Sequence, residues 1–214
     1  SYYTIGLYPI YIAFGAAYLS RLLDTRSTLG SIARTLLQVL AVALPLLSFI
    51  PVYKVAFPNK TPEYIVAHPE WYKALGLLRW EDGKDHAIPQ DFADMLGWKE
   101  MAQKTERALV SIPAAESALV LTGNYGQAGA INYYSGKRVN AVSFSADYVD
   151  WFTFDKSYKN LIYVVESPYV GDVVNEYAGK FETWSVTDSV RNEFAREKGI
   201  SIVVFKNAKV DING

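Results

Sequence analysis

A turn rich in glycine and polar side chains follows an apolar segment in the stretch LVLTGNYGQAGAINYY, residues 119–134. An apolar strand, a glycine turn and a helix of small residues, in this order, are typical of phosphate loops in nucleotide-binding folds. The glycines at positions 123, 126 and 129 have the spacing GxxGxxG rather than GxGxxG, and the turn lacks the lysine of a P-loop. The spacing therefore argues against a phosphate loop, although the position suits a ligand site.

Two interpretations of this turn stay open. In the first, polar side chains at the end of the strand bind a small sugar or phosphorylated ligand, and an aromatic side chain stacks on it. The residues predicted for this role are Asn124, Tyr125, Gly126, Gln127, Gly129 and Trp151. In the second, the turn is purely structural: Gly126 supplies a positive φ, and Gly129 lets the helix pack closely on the strand.

Residues suited to catalysis or metal binding are scarce. Asp91 and Asp94 are three residues apart, so on a helix they would share one face as an acid–base pair; the alternative is an acidic helix start after Pro89. There is no cysteine and no G-x-S-x-G motif, and two histidines cannot build a zinc site unaided. We therefore assign no catalytic residue and no metal ligand in this chain.

Composition narrows the class of protein. The chain has 214 residues, half of them apolar, which is sufficient for a sizeable core. The 21 basic and 22 acidic residues give a net charge of −1, which argues against nucleic acid as a partner. Aromatic residues make up 14% of the chain, a share that suits either a bilayer boundary or a carbohydrate-binding surface.

Two uncharged segments lie near the N-terminus, at Tyr2–Leu19 and Thr35–Tyr53. Each approaches the roughly 20 residues that a helix needs to cross a bilayer. The sequence therefore predicts a pair of transmembrane helices within residues 1–56, and the alternative is a pair of buried helices in a soluble protein. Since the chain starts at a serine within hydrophobic sequence, we also expect it to be part of a larger membrane protein with further transmembrane segments upstream.

Arginines set the expected orientation of these helices. Arg21, Arg26 and Arg34 lie between the two segments, opposed only by Asp24. Short arginine-rich loops stay in the cytoplasm. The loop is therefore predicted to be cytoplasmic, and residues after about 54 to be extracytoplasmic, in the periplasm of a bacterial inner membrane.

The remaining chain is predicted to contain a linker over 57–89 and an α/β domain over 90–214. An amphipathic helix is predicted over Gly97–Ile112, with Met101 and Thr105 on its apolar face. After it, strands and helices alternate. The predicted strands are Ala118–Thr122, Val139–Phe144, Leu161–Val165, Phe181–Val186 and Ile200–Phe205; the predicted helices are Gln127–Tyr134, Tyr169–Ala178 and Ser189–Lys198. This alternation indicates a small, doubly wound, mostly parallel, Rossmann-like sheet.

Several strings resemble a known family. The segment YYTIGLYPIYIAFGAAYLSRL is similar to the closing transmembrane segment of bacterial members of glycosyltransferase family 39, a GT-C group that includes protein O-mannosyltransferases and the aminoarabinose transferase of lipid A. The strings IPQDFADMLGWKEMAQKT and NYGQAGAINYY resemble the extracytoplasmic C-terminal region of many members. The similarity covers residues 1–134 with interruptions. Family members often have an acidic residue where this chain has Asn132, and a glycine after the tryptophan where this chain has Phe152.

The resemblance implies a polytopic enzyme that transfers a sugar from a polyprenyl-phosphate carrier to a protein or lipid acceptor outside the cytoplasmic membrane. The family's catalytic carboxylate lies on an N-terminal loop to which no residue here corresponds, and some members use a divalent metal. The chain is accordingly expected to be a non-catalytic C-terminal part, whose partners are the bilayer, the upstream transmembrane region and the lipid-linked sugar donor. Its α/β domain would act as a lid or as an acceptor-recognition domain.

Two other classes of function stay open. The first is a membrane-anchored binding module that recognises a small sugar or phosphorylated ligand without catalysis. The second is a purely structural domain that stabilises the larger protein.

Overall fold

The computed structural model describes residues 6–24, 30–113, 117–152 and 157–212, except for the side chain of Trp151. The chain divides into two compact units, Ser1–Asn59 and Lys60–Gly214.

The described residues of the first unit contain two apolar helices. Helix α1 spans Tyr8–Leu23 and begins with a proline in its first turn, and helix α2 spans Ser31–Ala56. Apolar side chains are exposed along both; Phe14, for example, is 73% exposed. Nothing in α1 is buried, and nothing in the most apolar part of α2 is buried. Such surfaces are costly in water and favourable in lipid.

Helix α2 has 26 residues and is long and apolar enough to cross a membrane. The predicted second span, Thr35–Tyr53, lies entirely within it. The predicted first span, Tyr2–Leu19, is not confirmed: α1 has 16 residues, about 24 Å of helix against a hydrocarbon core of about 30 Å. Its first four residues, 2–5, lie outside the described part of the chain.

Short elements open the second unit. They are the helices α3 (Pro62–Ala67), α4 (Glu70–Ala74) and α5 (Gln90–Ala93), with an isolated antiparallel bridge between Arg79 and Asp85. Thr61 caps α3, since its hydroxyl accepts a hydrogen bond from the Tyr64 N–H. Side chains from this region, including Ile65 and Tyr72, are buried.

A five-stranded sheet forms the centre of the unit, in the order β2-β1-β3-β5-β4. The strands are β1 (Ala118–Thr122), β2 (Ala141–Ser143), β3 (Asn160–Val165), β4 (Phe181–Ser189) and β5 (Ser201–Ala208). β1 is parallel to β2 and β3, whereas β5 is antiparallel to both β3 and β4. Four strands therefore run in one direction and β5 runs in the other.

Side chains alternate between two cores because successive residues of a strand point to opposite faces. On one face, Val120, Ile162 and Val204 pack with α6 (Trp98–Val110) and α7 (Tyr125–Tyr134). On the other face, buried residues of β1, β3 and β5 pack around Val173 of α8 (Val170–Tyr177); they include Leu119, Leu121, Leu161, Val203 and Phe205. Short 3₁₀ helices lie at Ala146–Trp151, Ser167–Tyr169 and Ala178–Lys180.

Asn132 joins α7 to β2. Its amide nitrogen donates to the Ala141 carbonyl and to the Tyr148 hydroxyl, both at 2.8 Å, and its amide oxygen accepts from the Ala141 N–H at 2.7 Å. Asn132, one of the two residues at which the chain departs from the resembled family, thus holds the helix against the sheet edge.

All five predicted strands are present, and a mixed α/β fold with a mostly parallel sheet is confirmed. The predicted helices over 97–112, 127–134 and 169–178 correspond to α6, α7 and α8. The doubly wound arrangement is not confirmed, because β5 runs against its neighbours.

The predicted helix Ser189–Lys198 is wrong; this segment forms successive turns. It closes an antiparallel β4–β5 connection, in which the N–H of Val190 donates to the Ile200 carbonyl and the N–H of Gly199 donates to the Val190 carbonyl. An antiparallel pair needs no helical crossover. The Asn192 side chain also accepts from the Phe194 N–H, a local turn that competes with a helix.

Helix α6 anchors this connection through a buried lysine. Lys104 is 8% exposed, and its ammonium group lies 2.7 Å from Glu100, 3.0 Å from Asp188 and 2.6 Å from the carbonyl oxygen of Ser189. Glu100 also accepts from the backbone N–H groups of Arg191 and Asn192. The polar face of α6 therefore fixes the start of the 190–199 turns.

Candidate functional site

A cavity of about 640 Å³ opens at the carboxyl ends of β1 and β3. From β1 the chain continues through α7 to β2 on one side, and from β3 it continues through α8 to β4 on the other, so the two connections diverge at this point. Open α/β sheets bind ligands at such a divergence. The cavity is lined by Asp94, Trp98, Asn124, Tyr125, Gly126, Glu166, Ser167, Pro168, Arg196, Glu197, Lys198 and Ile200.

The glycine turn shapes one wall of the cavity. The Gly123 N–H donates to the Val164 carbonyl at 2.9 Å, which carries the β1–β3 pairing into the turn. Asn124 then caps α7, since its side-chain oxygen accepts from the Gln127 N–H at 3.0 Å. The first backbone N–H groups of α7 therefore lie at the cavity, as the order of elements in the sequence predicts.

The structural role predicted for Gly126 is wrong. Its φ is not in the left-handed region. A Cβ at this position would lie 3.2 Å from the Asn124 side-chain oxygen, so glycine at 126 leaves room for the helix cap. Gly129 is exposed, and nothing lies within 4 Å of a Cβ built there; the buried neighbour that packs on the sheet is Ala128.

The predicted ligand-binding residues are only partly brought together. Asn124, Tyr125 and Gly126 line the cavity, and Gln127 is fully buried beside it. Gly129 is not among the lining residues. The side chain of Trp151 lies outside the described residues.

Sequence reasoning missed the charged half of the cavity. Glu166 directly follows β3, so the rule that ligands bind at strand ends could have identified it. Arg196, Glu197 and Lys198 were not identified because the sequence predicted a helix over Ser189–Lys198, which the structure does not contain. The Asp91–Asp94 pair separates: Asp91 is exposed in the first turn of α5, as the helix-start alternative predicts, whereas Asp94 lines the cavity.

Arg196 is neutralised by two carboxylates. Its guanidinium lies 3.3 Å from Asp94 and 3.7 Å from Glu81. Burial lowers the pKa of Arg196, but the charges of Asp94, Glu81 and Glu197 outweigh it and raise that pKa above its ordinary value. This cation is therefore already paired and leaves little positive charge for an anionic ligand.

Unlike Arg196, Glu197 has no close partner of opposite charge in the described part of the chain. Among the described residues no cation lies within 4.0 Å of its carboxylate or that of Glu166. Burial, followed by the charge of Glu166, raises the pKa of Glu197, although Arg196 and Gln127 act in the other direction. The cavity therefore presents an underpaired carboxylate with a weakened acidity.

Gln127 lies behind this carboxylate. It is 0% exposed, and within the described ranges neither its amide nitrogen nor its amide oxygen has a hydrogen-bond partner of normal geometry. The amide is nevertheless close enough to Glu197 to lower the pKa of that group. A buried amide without partners costs about 1–3 kcal/mol in a folded protein, and such a group commonly marks a position completed by water or a ligand.

The arrangement has features that bind small polar ligands. It combines hydrogen-bond acceptors, a helix N-terminus and two aromatic side chains, Trp98 and Tyr125. In the part of the chain that the structure describes, no group of three or more histidine, aspartate or glutamate side chains is placed to hold a metal ion. The divalent metal of the resembled family therefore has no fitting ligand set among these residues.

Comparison of the chain with protein-family models, curated proteins and solved structures gives no match.

Proposed function

We propose that the unit Lys60–Gly214 binds a small polar ligand in the cavity at the ends of β1 and β3. The observation that carries this proposal is the cavity itself: about 640 Å³ at the divergence of two connections, with a capped helix N-terminus, aromatic side chains and underpaired carboxylates. Ligand sites of α/β proteins have this location and a volume of roughly 300–1,000 Å³.

We further propose that the chain belongs to a polytopic membrane glycosyltransferase that uses a polyprenyl-phosphate-linked sugar. Support comes from the resemblance of the N-terminal segment and of the strings around Asp94 and Asn124 to family 39. The apolar helix α2 adds a means of membrane attachment. In this proposal the α/β unit is an accessory domain that recognises the sugar part of donor or acceptor, while catalysis occurs elsewhere in the protein.

The proposed topology places two spans in the bilayer, the first over Tyr2–Leu19, and the α/β unit in the periplasm. Because the chain has no cysteine, single introduced thiols test it without background labelling. Val110→Cys, at a side chain 79% exposed, is expected to react with a membrane-impermeant maleimide in intact cells. Gly30→Cys, in the predicted cytoplasmic loop, is expected to react only after lysis. The reverse pattern refutes the topology.

Ligand binding is tested on the full chain in detergent by saturation-transfer NMR, with methyl α-D-mannopyranoside, methyl α-D-glucopyranoside and inorganic phosphate as probes. Tyr125 lines the cavity and is 57% exposed, and Tyr133 is 78% exposed on the same helix away from the cavity. Loss of one aromatic face removes about 1 kcal/mol, so Tyr125→Ala should weaken glycoside binding about fivefold. Tyr133→Ala is the matched control and should leave it unchanged. Equal effects, or no binding of any probe, refute the proposal.

The accessory role is tested in the membrane protein that contains this chain, by removing residues 60–214 and measuring sugar transfer from a polyprenyl-phosphate donor. The proposal predicts altered acceptor choice or lost transfer. Unchanged transfer and acceptor choice, with ligand binding intact in the isolated chain, would instead identify a membrane-anchored binding module.

A further inference from the structure

We infer that the α3–α4 segment, residues 62–78, docks on the surface of the bilayer and inserts the side chains of Trp71 and Leu75 among the lipid headgroups. This inference concerns a surface separate from the ligand cavity, and it rests on the proposed membrane attachment through α2. The partner is the phospholipid interface itself, bound through aromatic and apolar contacts rather than through charge.

Exposed apolar and aromatic side chains are concentrated in this segment. Trp71 is 57% exposed and Leu75 is 54% exposed. The Leu75 N–H donates to the Trp71 carbonyl at 3.2 Å, so the two side chains lie one helical turn apart on the same side of α4. Grouped apolar surface of this kind marks a site of protein or membrane contact. The exposed large apolar or aromatic side chains of the segment are Tyr64, Val66, Trp71, Leu75 and Leu77.

Buried neighbours fix which side of the segment faces outward. Ile65 of α3 and Tyr72 of α4 are both buried. The Tyr72 carbonyl also accepts a hydrogen bond from the Leu77 N–H at 2.9 Å, which holds the turn that follows α4. Turning α4 to cover Trp71 would expose Tyr72 instead, because the two side chains are adjacent in the sequence. Covering Trp71 and Leu75 therefore requires a partner outside the unit.

The segment follows closely behind the end of α2. Helix α2 ends at Ala56 and α3 begins at Pro62, so the six intervening steps span at most about 21 Å. Tyr53 and Phe57 are exposed at this end of α2, with ring centroids 5.5 Å apart. Aromatic side chains at the end of a membrane-spanning helix lie at the boundary of the bilayer. The α3–α4 segment consequently begins within reach of the headgroups.

The residue types of the segment suit this boundary. Tyrosine and tryptophan combine an apolar ring with a polar edge, and they are enriched where lipid meets water. The Lys60 ammonium group lies 4.9 Å from the centre of the Tyr64 ring. In residues 60–78, two lysines are balanced by Glu63 and Glu70, so this part of the chain has no net charge. Docking should therefore depend little on anionic lipid or on salt.

The docked segment is joined to the ligand cavity within the same unit. Glu81, three residues after the segment, lies 3.7 Å from the guanidinium of Arg196, which lines the cavity. Docking of α3 and α4 thus holds the unit that carries the cavity at the membrane surface.

The experiment places a bimane label at Leu75→Cys in the full chain, reconstituted in phosphatidylcholine vesicles. The chain has no cysteine of its own, so the label has a single position. Two quenchers report its surroundings: a phospholipid with a nitroxide near the top of the acyl chain, and iodide in the water. Val110→Cys is the matched control, because Val110 is also exposed and apolar but shares its surface recess with Gln103, Glu106 and Arg107.

The expected result is that lipid nitroxide quenches the Leu75 label and iodide does not, since interfacial apolar groups lie about 5–10 Å below the headgroup level. The Val110 label should show the reverse. Adding phosphatidylglycerol or salt should change neither pattern.

A second variant separates docking from simple tethering by α2. In the chain labelled at Leu75→Cys, Trp71→Asp should lower the ratio of inserted to water-exposed label by about tenfold or more. Trp184→Asp, at an exposed tryptophan on β4, is the control and should leave this ratio unchanged.

Each contrary outcome overturns the inference in a recognisable way. Equal quenching of the Leu75 and Val110 labels by iodide shows that the segment stays in water. Protection of the Leu75 label from both quenchers shows that a protein surface, from a second copy or from another part of the membrane protein, covers it. Lipid quenching that persists in Trp71→Asp shows that the connection to α2 alone keeps the label near the bilayer. Failure of the chain to float with the vesicles refutes the proposed membrane attachment together with this inference.

Discussion

The buried lysine of α6 offers the sharpest test of how the cavity is held in place, through the substitution Lys104→Met. The side chain is 8% exposed and its ammonium group contacts Glu100, Asp188 and the Ser189 carbonyl within 3.0 Å. Methionine is unbranched and one heavy atom shorter than lysine, so the variant removes the charge and keeps most of the apolar packing of the side chain. The start of the 190–199 turns would lose the contacts of Lys104 with Asp188 and with the Ser189 carbonyl.

The expected loss of unfolding free energy in Lys104→Met follows from the burial of each charged partner. Removing one member of a buried ion pair costs about 3–5 kcal/mol because it strands the other charge. Here the stranded carboxylates of Glu100 and Asp188 are 28% and 24% exposed, and Arg107 and Arg191 lie 3.5 and 3.7 Å from Asp188. Partial solvation and these second partners reduce the expected cost to about 2–3 kcal/mol.

Thermal unfolding followed by circular dichroism measures this effect. For a unit of this size, about 2–3 kcal/mol corresponds to a fall in Tm of roughly 5–10 °C. Lys99→Met, at an exposed position on the same helix, is the control and should change Tm by less than about 2 °C. Equal Tm values for the two variants would refute the structural role assigned to Lys104.

The same network predicts how stability depends on pH. Burial raises the pKa of Glu100 and of Asp188, but hydrogen bonds from Lys104 and from backbone N–H groups outweigh it, so both values are lowered from their ordinary 4.5 and 3.8. Carboxyl groups whose pKa is lowered on folding stabilise the protein above the unfolded pKa, and this stabilisation is lost as the pH falls through the folded pKa. Wild-type stability should therefore fall below about pH 4.5, and Lys104→Met should show a flatter decline.

Four further predictions test other parts of the structure. Asn132→Asp loses both donated hydrogen bonds and should lower stability by about 1–3 kcal/mol, measured by denaturant unfolding. Gly97→Ala places a Cβ 3.0 Å from that of Ala195 at a φ of +85°, so it should lower the free energy of unfolding by about 1–3 kcal/mol. In the same assay, Gly129→Ala should leave this free energy unchanged or raise it. Burial raises the pKa of Tyr177 to about 12, whereas the unfolded chain loses this proton near 10. The stability should therefore fall as the pH rises from about 10 to 12. In Tyr177→Phe this fall in stability should be less steep. Leu44→Asp in the middle of α2 should reduce membrane insertion by about 2.5–3.5 kcal/mol, measured by carbonate extraction.

The strands were predictable because their signal is local. Short apolar runs bounded by turn residues identified all five, and β1 was predicted over Ala118–Thr122 as observed. Burial then follows the alternation of side chains, with Val120 and Leu121 in different cores. The amphipathic pattern of α6 also located its buried face, apart from Lys104, whose burial depends on a partner 84 residues away, Asp188.

The turns after β4 could not be predicted from local pattern. Residues 189–198 have a helical composition, but their backbone N–H groups bond to Glu100 on α6 and to the Asn192 side chain. The bonds to Glu100 are tertiary contacts that override intrinsic helix propensity, and the Asn192 bond is a local turn that competes with a helix. Glu197 and Lys198 lie in this segment, so the incorrect helix prediction also concealed their place in the cavity lining. Asn124 and Tyr125 were identified because the order of strand, turn and helix is a local pattern.

Hydrogen–deuterium exchange of the full chain in detergent, with and without saturating methyl α-D-mannopyranoside, tests most directly whether the cavity of the α/β unit binds a small polar ligand such as a glycoside. Slower exchange, by about tenfold, is predicted in peptides covering 123–128 and 194–199, which contain the lining residues 124–126 and 196–198, with no change in α2. Unchanged exchange in both peptides, or protection confined to other parts of the chain, would contradict the account.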